Sequence, residues 1–142
     1  ELHELTSGAT RLTYVIDKPY VDVLKQLRTA LRAKGFQIPM EMDVSGWIRS
    51  QLGVTLRPCL VLDVACPFLL LEAAIIDATA AAFVPLQVIV TEAGSRSLVR
   101  LVPHTDRALT AGLRAQFDKF FGGVLAALRE LGAQRTIREA VL

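Results

Sequence analysis

The amino-acid sequence predicts an α+β fold, with helices gathered on one face of a sheet and a long helix near the C-terminus. Three observations predict it. Short segments that alternate apolar and polar residues recur along the chain, as half-buried strands do. Stretches with apolar residues three and four apart separate most of them, as amphipathic helices require. Two alternating segments within "LQVIVTEAGSRSLVRLVP" are divided only by a short turn, which reads as a hairpin. The order is strand, helix, strand, short helix, strand, helix, two strands, long helix (β-α-β-α-β-α-β-β-α).

Residues 1–10, "ELHELTSGAT", are a leader to the first strand, "RLTYVI", which places Leu12, Tyr14 and Ile16 on one face. "DKPYVDVLKQLRTALRAKGF" is a helix: Asp17 can cap it, Pro19 suits its first turn and Gly35 its left-handed stop. Its buried stripe is Tyr20, Val23, Leu24, Leu27 and Leu31. In "QIPMEMDV" the spacing puts Ile38, Met40, Met42 and Val44 on one face of a strand and exposes Glu41 and Asp43 on the other. Pro39 favours an edge position.

Ser45 offers a cap to the short helix "GWIRSQL", which closes at Gly53. "CLVLDVA" is a third strand. "PFLLLEAAIIDATAAA" is a helix so apolar that it must be covered on two sides. After the hairpin, with its turn at Ala93, Gly94 and Ser95, a helix starts near Thr105 or Asp106 and runs to about Leu131. Leu109, Leu113, Phe117, Phe120, Phe121, Val124, Leu128 and Leu131 share one of its faces. Gly112, Gly122 and Gly123 interrupt it at a cost of ~1 kcal/mol each relative to Ala, in favour of close packing or a bend. Residues 11–132 thus form one domain, followed by a tail over 133–142.

A chain of 142 residues buries enough surface to fold as one domain without a metal or disulfide staple. Sixteen basic and 14 acidic side chains give a net charge of +2, short of the concentrated basic face of a nucleic-acid binder. The run from Val64 to Val90 carries only Glu72 and Asp77 as charges, yet Pro67 and Pro85 bracket its helical part. A mid-bilayer carboxylate costs roughly 2.5 to 3.5 kcal/mol, so a buried helix explains the run better than a membrane span. The expected partners therefore include neither nucleic acid nor membrane. The two cysteines, seven apart, fit a reducing compartment, and the location expected is cytoplasmic. The N-terminus has neither an initiator Met nor a signal pattern, and is read as starting inside a longer gene product or at a cloned boundary.

No motif names a reaction. Cys66 precedes Pro67 at a strand-to-helix junction, where a helix N-terminus can lower a thiol pKa, but no His lies near it and a packing role is the simpler reading. Cys59, inside a strand, is read as structural. With only His3 and His104 to join the cysteines, no spacing resembles a zinc motif, and no metal or cofactor is expected. Glu41 and Asp43, two apart, are candidates for an acid–base pair or a hard-cation site, against a plainer reading as a solvated strand face. His104 stands at the mouth of the last helix as a third candidate. Glu72 and Asp77 need partners if their helix is buried, and Arg96 and Arg100 of the hairpin are available. There is no phosphate loop, nucleophile elbow or His-Glu-x-x-His pattern.

The segments "EMDVSGWIRSQLGV", "CLVLDVACPFLLLEAAI" and "FVPLQVIVTEAG" occur in the order and at the intervals of the domain-of-unknown-function 302 family, and "KGF" before the second strand fits as well. The chain resembles that family over most of its length. The family pattern runs into Cys-Asn-Pro and later Leu-Pro-Cys-Asn. Aligned on the prolines, Ala65 takes the place of the first cysteine and Cys66 that of the asparagine, while Leu86 and Gln87 replace the second pair. Only Pro67 and Pro85 are retained. The resemblance implies a TATA-binding-protein-like or helix-grip type of α+β fold, a curved antiparallel sheet gripping a long C-terminal helix, and no biochemical activity. Its landmark positions leave Cys66, Pro67 and Gln87 as ligand-binding candidates.

The function expected is that of a non-enzymatic module that dimerises, or that binds a small apolar ligand or protein partner between sheet and helices. The rival is a cofactor-independent enzyme or metal binder using Glu41, Asp43 and His104. Leu69, Leu70, Leu71, Ile75 and Ile76 spread over more sides of their helix than one sheet can cover, so a homodimer through that helix is expected.

Overall fold

The computed structural model describes residues 12–81, 85–102 and 111–136. Six strands form one open antiparallel sheet in the order β2-β3-β4-β5-β1-β6: β1 is Thr13–Ile16, β2 Gln37–Asp43, β3 Cys59–Ala65, β4 Leu86–Ala93, β5 Arg96–Val102 and β6 Gln134–Arg135. The helices are α1 (Tyr20–Ala33), α2 (Val44–Leu52), α3 (Pro67–Ile76), the single turn α4 (Ala78–Ala81) and α5 (Ala111–Glu130). The predicted order is present, with α4 and β6 added. The expected start of α5 near Thr105 lies outside the described residues.

Pairing register decides which side chains meet. Leu60, Leu62 and Val64 of β3 stand opposite Val90, Val88 and Leu86 of β4, and Val88 and Val90 opposite Leu101 and Val99 of β5. These residues share one core with Val23, Leu24, Leu27 and Leu31 of α1, Leu69 and Ala73 of α3, and Leu113, Phe117, Phe120, Val124 and Leu128 of α5. Helices α1, α3 and α5 thus lie on the same face of the sheet. The helical spacing of the apolar residues supplies that face, because side chains three and four apart stack on one side of a helix.

Gly35, at φ +85°, ends α1: Gly35 N–H donates to the Arg32 carbonyl and Phe36 N–H to that of Leu31. The turn directs Phe36 under α5, where its ring meets Phe120 edge-on at 5.0 Å. Asp17 does not cap α1. The N-cap is Pro19, without a side-chain bond, and Asp17 instead pairs with Arg96 at 3.3 Å, a partner assigned above to Glu72 or Asp77. The long apolar helix also divides, because Asp77 leaves helical geometry and its Oδ1 accepts from Thr79 N–H.

Strand β2 departs most from expectation. Met40 and Met42 are 66% and 48% exposed, and Glu41 and Asp43 stand opposite the core residues Leu62 and Leu60, on the helix side of the sheet. Between Gln37↔Ala65 and Met40↔Asp63, β2 advances three residues while β3 advances two. One extra residue in an edge strand reverses the alternation that follows it. Ile38, before the shift, still packs against the core.

Candidate functional site

Two regions gather the residues that the sequence singled out. The first is the β3–α3 junction. Cys66 is the N-cap of α3 with Pro67 in the first helical turn, and the Cys66 carbonyl accepts from Leu70 N–H at 2.9 Å. A proline there forfeits no helical hydrogen bond. The half-buried Cys66 lines an open groove of about 680 Å³ between α3, α5 and the α1–β2 turn, together with Phe36, Phe68, Glu72, Lys119 and Phe120. The floor is aromatic, and the rim carries both signs of charge. Lys34, also on the rim, is held by Glu130 at 2.8 Å.

Gly123 of α5 belongs to this groove for a steric reason: a Cβ there would stand 2.6 Å from Phe36 Cζ. Close packing, not a bend, accounts for that glycine. Sequence reading missed Phe36, Gln116 and Lys119 as lining residues; the available signal was the aromatic immediately after the Gly35 stop. Gln87 is not brought to the groove. It pairs with Asp63 and Val102 on the opposite face of the sheet and is exposed.

The second region is the start of α2. Asp43, not Ser45, is its N-cap: Asp43 Oδ1 accepts from Gly46 N–H and from the Ser45 hydroxyl, both at 2.9 Å. Those two hydrogen bonds hold its carboxyl below the usual carboxylate range. Ser45 Oγ in turn accepts from Cys59 N–H at 3.1 Å, fastening α2 to the first residue of β3. Glu41 is engaged separately by Arg28 of α1. The two acids therefore do not form a free carboxylate pair: one closes a helix end and the other an ion pair.

Burial, then the charges of Asp43 and Cys59, push the nearby Tyr20 phenol up to about 12. Burial and the Asp43 charge also raise the Cys59 thiol, against an opposing effect of Arg100, so Cys59 is not an activated nucleophile. His3 and His104 lie outside the described residues. Among the described residues no group of three His, Cys, Asp or Glu is placed to hold a metal ion.

The model of the family described as "Domain of unknown function DUF302" matches residues 12–130, and the chain belongs to that family. In fold it is similar to the crystal structure of an uncharacterized conserved DUF302 protein from Bacillus stearothermophilus, with a TM-score of 0.70, 14% sequence identity, and 84% of this chain and 98% of that one covered. No curated protein matches. The two positions aligned above with the family's cysteines, Ala65 and Leu86, fall at one end of neighbouring strands, Val64 being opposite Leu86. Both hold buried apolar residues.

Proposed function

We propose that this chain is a non-enzymatic binding module that self-associates through α3. The observation that carries the reading is an apolar stripe on the side of α3 turned away from the core. Phe68, Leu71 and Ile75, spaced by three and four, are 80%, 58% and 74% exposed, with Ile76 beside them, while Leu69 and Ala73 of the same helix are buried. Leu69 is therefore unavailable to a partner, and Phe68 takes its place in the surface predicted from sequence. Such a stripe is costly to leave in water, and a twofold dimer is the commonest closed way to cover it.

The adjoining groove supports small-ligand binding as a second reading, since it has an aromatic floor at the junction where the family resemblance places its landmark proline. A helix-grip architecture is supported by an open sheet with α5 on its helical face. A cytoplasmic location is supported by the two unpaired thiols, and no helix among the described residues is long and apolar enough to cross a membrane. An acid–base or cation site on Glu41 and Asp43 draws no support from their bonding, which leaves neither carboxylate unengaged.

Sedimentation equilibrium at several loading concentrations tests the association. A dimer mass at micromolar concentration, reduced to a monomer by Ile75→Glu with an unchanged circular dichroism spectrum, is the expected result. A monomer mass for the unaltered protein at every loading refutes it.

A further inference from the structure

The apolar stripe of α3 carries a single charge. Side chains three and four apart stack on one side of a helix, so Glu72 shares a face with Phe68, Ile75 and Ile76, and all four are exposed. Its own helix offers it no cation, since the positions three and four away hold Leu69, Ile75, Phe68 and Ile76. No ion pair among the described residues includes Glu72, and Arg96, one of the partners available to it in sequence, is taken by Asp17.

Lys119 is its counterpart on α5. It is exposed, it lines the same groove as Glu72 and Phe68, and no carboxylate of the described residues holds it. The positions three and four away on α5 are Gln116, Gly122, Ala115 and Gly123, so its own helix supplies no acid. The other lysine of the groove, Lys34, is already bound to Glu130. One patch thus carries an uncommitted carboxylate and an uncommitted ammonium on two different helices, beyond ion-pair distance of each other across the open groove.

A twofold contact uses that pattern directly, because each copy presents the same surface and every contact occurs twice with the roles exchanged. Covering the stripe also takes Glu72 out of water, and an ionised carboxylate enclosed beside Phe68 and Ile75 without a cation is strongly destabilising. We infer that in the dimer proposed above Glu72 of each copy pairs with the partner's Lys119, giving two symmetry-related ion pairs that flank the apolar contact. The inference rests on self-association through α3 and adds the α5 wall of the groove as the second half of the interface. The pairs set the register of the two α3 helices, and they disfavour any apolar partner without a cation at that place, since it would leave Glu72 buried and unpaired.

Sedimentation equilibrium of charge-reversed chains tests the pairing. Glu72→Lys brings like charges together at both ends of the contact, and so does Lys119→Glu; each variant alone should raise the dimer dissociation constant by about tenfold or more. Both side chains are exposed, so each variant should keep the parent's circular dichroism spectrum. An equimolar mixture of the two variants should return to within about threefold of the parent's dissociation constant, because in the mixed dimer the two reversed side chains meet each other and so do the two unaltered ones. Recovery in a doubly reversed chain but not on mixing would place the pair within one copy and overturn the inference. Reversals without effect, while Ile75→Glu still dissociates the dimer, would overturn the pairing and leave the association through α3 standing. A parent that is monomeric at every loading would overturn both.

Discussion

The Arg28 guanidinium donates two hydrogen bonds to the Glu41 carboxylate, Nε to Oε1 at 2.7 Å and Nη2 to Oε2 at 3.0 Å, and so ties α1 to the edge strand β2. The bond to Glu41 keeps Arg28 charged more firmly than usual. Both side chains are about one-third exposed, so water and salt screen the pair. A double-mutant cycle with Arg28→Met and Glu41→Gln, read by urea denaturation, should give a coupling of about 0.5–1 kcal/mol that shrinks in added salt. A coupling indistinguishable from zero at low salt would show that the fork does not hold β2 in place.

Gly122 and Gly123 are adjacent in α5 and should respond oppositely to alanine. A Cβ at Gly122 meets nothing within 4 Å, and Gly122→Ala should stabilise by up to ~1 kcal/mol through helix propensity. At Gly123 the added carbon collides with the Phe36 ring, and overpacking should cost roughly 1–3 kcal/mol. Thermal melts of the two variants decide the matter, and a stabilised Gly123→Ala protein would contradict the packing described here.

Ser45 is buried and bridges Asp43 to the Cys59 amide. Replacing it with Ala leaves that amide without its acceptor, at a cost of about 1–3 kcal/mol. Hydrogen exchange should show the loss locally, as faster exchange of the Cys59 amide. Unchanged protection at that amide would remove Ser45 from the α2–β3 junction.

Acid should weaken the α2 cap in a defined direction. The Asp43 pKa is depressed in the folded state, so its contribution is present above the unfolded-state value near 3.8 and is lost as pH falls through the lower folded value. Asp43→Asn keeps a good capping residue but should flatten that part of the pH–stability curve, whereas Asp43→Ala should lower stability at neutral pH as well. Identical acid profiles for the parent and Asp43→Asn would refute the assignment.

Alkali acts through Tyr20. Its pKa rises from 10.0 to about 12 on folding, so the unfolded chain loses the phenolic proton first and stability falls as pH climbs from 10 toward 12. Tyr20→Phe should remove that alkaline component. A stability profile above pH 10 that is the same in both proteins would rule it out.

The strand and helix order was legible in the residues themselves, because period-two and period-3.6 apolar spacing follow directly from backbone geometry. Val23, Leu24, Leu27 and Leu31 of α1 and Leu113, Phe117, Phe120, Val124 and Leu128 of α5 are buried as that spacing requires. The β2 faces were not legible, since a one-residue shift near Ile38 and Pro39 is invisible to local alternation and is fixed only by pairing with β3. The same holds for the chemistry. Glu41 and Asp43 look like a carboxylate pair in sequence, but Arg28 is 13 residues from Glu41 and comes to it only through the packing of α1 on the sheet. Phe68, Leu71 and Ile75 are as apolar as the buried Leu69. Composition alone cannot divide such a helix into an inner and an outer side, so the tertiary structure chose which residues of α3 meet the core and which face outward.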